Sequence, residues 1–241
     1  MFFVLIKIFF CYNERMKNLF KNWSLFELIL LFASPLVVVA FAVGFKSDVL
    51  TTITAIVGIL CALFWAKGLV VGQFLGIAIV VLYSIVSYIN GYYGEMIIYI
   101  VIMLPMYVWG IVEWIRHKNK QTESVEVNSI KAKEWLMVSA VSVVAFVGFY
   151  FLLKALNTNE LIVSTLSVVD NVFAVYLLAR RSKYGFVSYI VNDLILIVLW
   201  GLPVIAGNLL VVPMLMNPIV NLINDIYGVV NWSRMQKTQN T

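Results

Sequence analysis

Residues 217–232 read Asn217-Pro-Ile-Val-Asn-Leu-Ile-Asn-Asp-Ile-Tyr-Gly-Val-Val-Asn-Trp232. Aliphatic side chains dominate this stretch. Asn217, Asn221, Asn224, Asp225 and Gly228 nevertheless recur at i, i+4, i+7, i+8 and i+11, one continuous stripe of an α-helix. The stretch closes an apolar window over 207–232, and windows of the same kind cover 25–45, 48–66, 69–88, 92–114, 135–156, 160–180 and 184–205. About 20 apolar residues are what a helix needs to cross a hydrocarbon core about 30 Å thick. The chain is therefore expected to be an all-α membrane protein with eight transmembrane helices. Its 63% hydrophobic and 12% charged residues agree, because soluble domains are roughly 45–50% apolar.

Charge placement gives the orientation. With the N-terminus in the cytoplasm, the inside loops hold the basic residues from Lys7, Arg15, Lys17, Lys21 and Lys67 to Arg234 and Lys237. Of the 17 basic residues only Lys46 and Lys154 then fall outside, which is the bias expected when both termini are cytoplasmic. The net charge of +5 is thus a topology signal, and no continuous basic face with interleaved aromatics points to a nucleic-acid partner. No HExxH, GxGxxG or Walker loop occurs, so neither an enzyme nor a cofactor is indicated. Cys11 and Cys61 have no metal-site spacing, and the single histidine, His117, lies in the polar loop 115–134, where it is expected to be solvated. The opening run MFFVLIKIFF is too short to span and reads as a surface segment, or as a start upstream of a second candidate initiator, Met16.

The end of span eight has a counterpart in span four. Tyr107-Val-Trp-Gly-Ile-Val-Glu-Trp114 and Asp225-Ile-Tyr-Gly-Val-Val-Asn-Trp232 share a frame of aromatic, Gly, aliphatic, Val, polar and Trp. Spans two to four and six to eight run in the same directions, so a parallel repeat requires span five to carry the chain back across. The expected organisation is a cytoplasmic segment 1–24, an additional N-terminal helix 25–45, a first three-helix repeat 48–114, a loop 115–134, a linker helix 135–156, a second repeat 160–232 and a tail 233–241. Parallel repeats of this kind bind substrate between the halves near the midplane. Taken singly, Trp114 and Trp232 also suit anchoring at headgroup level.

Polar side chains inside a membrane are costly and mark functional sites. The candidates are the stripe Asn217, Asn221, Asn224 and Asp225, together with Asn192 and Asp193 in span seven, Asp170 and Asn171 in span six, and Gln73 in span three. Amides offer donors and acceptors alike, which suits a ligand rich in hydroxyls such as a ribose; for one asparagine alone the competing reading is an interhelical hydrogen bond. No lysine or arginine lies at the depth of the three aspartates, so each must be hydrated, protonated or shared with a cationic substrate. Pro105 and Pro218 fall mid-span in corresponding helices, and Pro203 and Pro213 flank the last hairpin. Each can kink its helix and let one half rock against the other.

Three stretches carry a family resemblance: Gly58-Ile-Leu-Cys-Ala-Leu-Phe-Trp-Ala-Lys-Gly68; Asn90-Gly-Tyr-Tyr-Gly-Glu-Met96 followed by Leu104-Pro-Met106; and Ala179-Arg-Arg-Ser-Lys-Tyr184 running into Asn192 and Trp200. In their order and spacing over 48–232 the chain resembles the PnuC family of nicotinamide riboside transporters. The resemblance implies a SWEET-like fold of 3+1+3 helices, a homotrimer in the bacterial inner membrane, and facilitated diffusion of the riboside trapped by phosphorylation inside the cell. Where the family reads Trp-x-x-Trp-x-x-x-Asn in span seven, this chain reads Gly185-x-x-Ser188-x-x-x-Asn192. Gly72 and Ile79 stand where many relatives have asparagine. Another nucleoside, a deoxynucleoside or a thiamine-like vitamin therefore stays open as the substrate, and a structural membrane subunit as the alternative outside transport.

Overall fold

The computed structural model of the protein describes residues 23–120 and 122–239. The opening apolar run, Met16, Cys11 and the basic residues Lys7, Arg15, Lys17 and Lys21 lie outside the described residues. Among the described residues eight helices are long and apolar enough to cross a membrane. They are α1 (Leu25–Phe45), α2 (Val49–Ala66), α3 (Val71–Ile89), α4 (Tyr93–Arg116), α5 (Ala132–Ala155), α6 (Leu161–Ala179), α7 (Tyr184–Ile205) and α8 (Val212–Gln239). Helix starts follow local chemistry. Ser24 and Glu27 form a capping box at α1, and the Asp48 carboxylate accepts the Thr51 amide at α2, 2.8 Å away.

Two stretches outside the spans are more ordered than their polarity requires. The tail expected from 233 is helix as far as Gln239, because Ser233 to Gln239 contains neither Gly nor Pro to stop α8. The loop 115–134 is not simply solvated. It lies as a strap across the end of the bundle that carries the basic turns, where the Val125 amide donates to the Gly68 carbonyl after α2 (2.9 Å) and the Asn128 amide to the Arg181 carbonyl after α6 (2.8 Å). Val125 is fully buried beneath it. His117 is half-buried, with Nδ1 2.9 Å from the Glu113 carbonyl.

Proline shapes α4 but is not a simple kink. Pro105 has no N–H for the Val101 carbonyl and its ring crowds that turn. The helix answers with a wider π turn at Tyr99–Met103, ending just before the proline. Pro218 lies within α8 and Pro203 in the last turns of α7, while Pro213 opens α8.

Helices α2, α3 and α4 pack in series, as do α6, α7 and α8; the two sets meet where α2 lies on α8 and α4 on α6. Trp114 and Trp232 are central to that meeting. Neither anchors at headgroup level, since both are fully buried with ring centroids 5.5 Å apart. The Trp114 indole donates to the Leu178 carbonyl of α6 (3.0 Å), and the Trp232 indole to the Trp65 carbonyl of α2 (3.1 Å). A similar correspondence appears at the glycines. A Cβ on Gly72 would meet the backbone nitrogen of Trp65 at 2.9 Å, and one on Gly185 would meet that of Leu178 at 3.0 Å. Two helices stand outside these sets and are held alike. In α1, Glu27 pairs with Lys67 and Tyr227, both at 2.5 Å; in α5, Glu134 pairs with Arg180 (2.7 Å) and Tyr176 (2.8 Å).

Candidate functional site

Where α2, α3, α4, α6, α7 and α8 converge they enclose a chamber at mid-bundle, to which α1 and α5 contribute nothing. Of the nine polar residues singled out from the sequence, six line it: Asn171, Asn192, Asp193, Asn217, Asn221 and Asp225. Three do not. Gln73 is buried against Gly110, and at the corresponding contact Gly228 receives the ring of Phe186, so a packing role accounts for that position. Asp170 is half-buried and accepts from the Ser188 hydroxyl at 2.9 Å. Asn224 is fully buried and donates to the Ile59 carbonyl of α2 at 3.3 Å.

The stripe on α8 thus divides. Asn217, Asn224 and Asn231 are seven residues apart, and each amide nitrogen reaches a carbonyl of α2: Ala55 (2.7 Å), Ile59 (3.3 Å) and Ala66 (2.9 Å). Together with the Trp232 bond they form a polar seam. At about 0.6 kcal/mol per such bond in a membrane, four are worth about 2 kcal/mol. Gly58 lets the seam close, since a Cβ there would be 2.5 Å from the Asn217 nitrogen. The other edge of the stripe, Asn221 and Asp225, faces the chamber.

The asparagine amides in the chamber use their two ends unequally. The amide nitrogens are engaged: Asn171 on the Tyr99 hydroxyl (3.0 Å), Asn192 on the Ser167 carbonyl (2.9 Å), Asn217 on Ala55, and Asn221 on the Asn217 oxygen (3.2 Å). The acceptors are not. Oδ1 of Asn221 and Oδ2 of Asp193 are buried and have no partner among the described residues. The Trp65 indole N–H, also in the lining, is likewise buried without a partner among the described residues. A buried polar atom left alone costs about 1–3 kcal/mol, so the chamber suits a ligand that brings donors for these oxygens and an acceptor for the indole. Among the described residues no lysine, arginine or histidine is in the lining.

The aromatic wall was not legible as a site in the sequence. Trp65 of α2 stacks with Tyr107 of α4 at 5.6 Å and 22°, and with Tyr189 of α7 at 5.5 Å and 19°. Tyr83 and Tyr99 form a second stack, 4.5 Å apart. All five line the chamber. Glycines facing them supplied the available signal, for Gly72 admits the Trp65 ring and Gly76 the Tyr107 ring, where a Cβ would come within 2.5 Å and 2.9 Å. At Gly185 the Leu178 backbone leaves no room for the tryptophan that the family pattern has there, and Ser188 is bonded to Asp170 instead.

A chamber lined by amides, carboxyl groups and aromatic rings at mid-bundle, between two sets of three membrane-spanning helices, is the arrangement of a polytopic membrane transporter. The sequence profile of the nicotinamide mononucleotide transporter family matches residues 48–234, and the chain belongs to that family. It is 29% identical over 227 residues to the nicotinamide riboside transporter PnuC of Neisseria mucosa, covering 92% of this chain and 86% of that one. To the PnuC of Haemophilus influenzae it is 26% identical over 230 residues, covering 94% and 98%. A crystal structure titled as the vitamin B3 transporter PnuC superimposes with a TM-score of 0.81 at 27% identity, covering 92% of this chain and 97% of that one. The protein is accordingly a transporter with an all-helical fold of the PnuC type, and not an enzyme.

Proposed function

We propose that the chain takes up nicotinamide riboside by facilitated diffusion, binding it in the chamber between two parallel three-helix repeats joined by α5. The observation that carries this reading is the lining: free acceptors and two aspartates, Asp193 and Asp225, beside a stacked aromatic wall, with no cationic side chain. Ribose hydroxyls and a carboxamide bring donors. A pyridinium ring brings positive charge and a flat face, which suits Trp65, Tyr107 and Tyr189. The same lining disfavours the mononucleotide after which the family is described, because its phosphate would enter beside two carboxyl groups with no Lys or Arg to receive it.

The free volume of the chamber is about 60 Å³, small beside the roughly 300–1,000 Å³ of ordinary ligand sites. Substrate therefore enters only as the two halves part, and alternating movement across the seam is the transport step. Substrate release on the cytoplasmic side, followed by phosphorylation, would make uptake one-way. The basic turns and strap support a cytoplasmic placement of that end and of both termini in a bacterial inner membrane. Assembly as a homotrimer rests on the family resemblance.

A thiamine-like vitamin is the second reading, favoured by the replacement of both family tryptophans at Gly185 and Ser188. Calorimetric titration of the purified protein against nicotinamide riboside, the mononucleotide, thymidine, deoxyadenosine and thiamine separates these. Riboside binding at micromolar level with none for the mononucleotide is expected. Binding of thiamine alone would transfer the assignment, and no binding below about millimolar by any of the five would end it.

A further inference from the structure

Glu95, in the first turn of α4, is fully buried, and neither of its carboxylate oxygens has a hydrogen-bond partner among the described residues. It is not part of the chamber lining. Ser167 of α6 is its side-chain neighbour, the phenols of Tyr83, Tyr92 and Tyr99 lie close enough to feel its charge, and no lysine, arginine or histidine acts on it.

The helices that pack here bring more oxygen of the same kind. Ser84 and Ser87 of α3 and Ser164 and Ser167 of α6 are buried, as is Thr158 in the turn before α6, and none of their five hydroxyls has a partner among the described residues. Hydroxyls buried in helices ordinarily turn back on the carbonyl four residues earlier. Thr54, Ser142 and Thr165 do so in this protein, and these four serines do not. Within each helix the pair is three residues apart, on one face. The turns at this end are drawn together as Asn159 donates to the carbonyls of Gly91 (3.2 Å) and Asn90 (3.0 Å).

A carboxylate buried without a counter-charge costs several kcal/mol, so Glu95 must be protonated or share its charge with a cation. Protonation alone would serve the neighbouring Ser167 and leave the other hydroxyls unsatisfied. A compact hard cation answers both needs, because such ions take oxygen ligands. With one carboxylate available, a divalent ion would leave a buried positive charge, whereas a monovalent one is neutralised. We propose that Glu95, with serine hydroxyls from α3 and α6, binds a monovalent cation of the size of sodium between α3, α4 and α6, outside the chamber. The stacked Tyr83 and Tyr99, both close enough to feel Glu95, also line the chamber, and Tyr99 opens the π turn of α4. Occupancy of the site would therefore hold one wall of the chamber in place.

The test is the thermal midpoint of the purified full-length protein, without substrate, titrated with sodium chloride against N-methyl-D-glucamine chloride at constant ionic strength and at two pH values. A saturable rise with sodium is expected, weaker with potassium. Ser167→Ala should move half-saturation at least tenfold higher, and Glu95→Gln should abolish the response. A wild-type midpoint that follows pH but ignores sodium would show that Glu95 holds only a proton, and would overturn the proposal. A full sodium response in Glu95→Gln would overturn it by placing the site elsewhere. Should Glu95→Gln fail to fold, the wild-type and Ser167→Ala titrations decide. No substrate is involved, so failure here leaves the riboside reading untouched.

Discussion

At positions 217, 224 and 231 an asparagine nitrogen is tied to α2, while at 221 and 193 an oxygen points unpaired into the chamber. The sequence marked most of these residues as costly in a bilayer, but an amide has two ends and its sequence does not say which one is engaged. Only the neighbouring carbonyls decide that. Two predictions follow from the chamber side chains. Asp193→Asn removes an acceptor and the capacity to balance a positive ligand, so affinity for a cationic riboside should fall tenfold or more in calorimetric titration. Its thermal midpoint should not fall, since a buried carboxylate with no cationic partner is a cost in the unliganded protein. Trp65→Ala removes the ring that stacks with both Tyr107 and Tyr189. If the ligand's ring stacks there with the about 1–3 kcal/mol of a base on an aromatic, dissociation constants should rise about 5- to 150-fold, and an unchanged constant would move the ring site off this wall.

At the scale of elements, span positions were legible because the bilayer imposes a length that apolar runs must meet. The π turn of α4 and the extension of α8 to Gln239 follow from local features, Pro105 and a run without Gly or Pro, that an apolar window does not weigh. The strap was not legible, since it depends on contacts with other parts of the chain. The strap shows this plainly: residues 115–134 are polar in sequence, yet Val125 is buried because Gly68 and Arg181 present carbonyls to its backbone and that of Asn128. The α2–α3 contact depends on one missing methyl. Gly72→Val should force the Trp65 backbone and ring aside, at a cost of about 1–3 kcal/mol, visible as a thermal midpoint lower by several degrees. Gly148 on α5 has nothing within 4 Å of its Cβ position, so Gly148→Val is the control and should change little.

For the whole molecule, the asymmetry of basic residues predicts sidedness. In a variant with Cys11 and Cys61 replaced by serine, a membrane-impermeant maleimide applied to intact cells should label Lys46→Cys and Lys154→Cys but not Lys118→Cys or Lys183→Cys; the reverse pattern would invert the protein. Eight spans and the recurrence of the Trp114 and Trp232 frames were determined by the sequence alone. Hydropathy and charge act on each segment independently, so no partner need be known to read them. Which six helices enclose the chamber, that Gln73, Asp170 and Asn224 lie outside its lining, and that Trp65, Tyr107 and Tyr189 form its wall were decided only by the tertiary structure. A helix turns every side chain outward from its own axis. Whether that direction meets lipid, a neighbouring carbonyl or a ligand is set by the helices packed around it, and their arrangement is a property of the folded bundle.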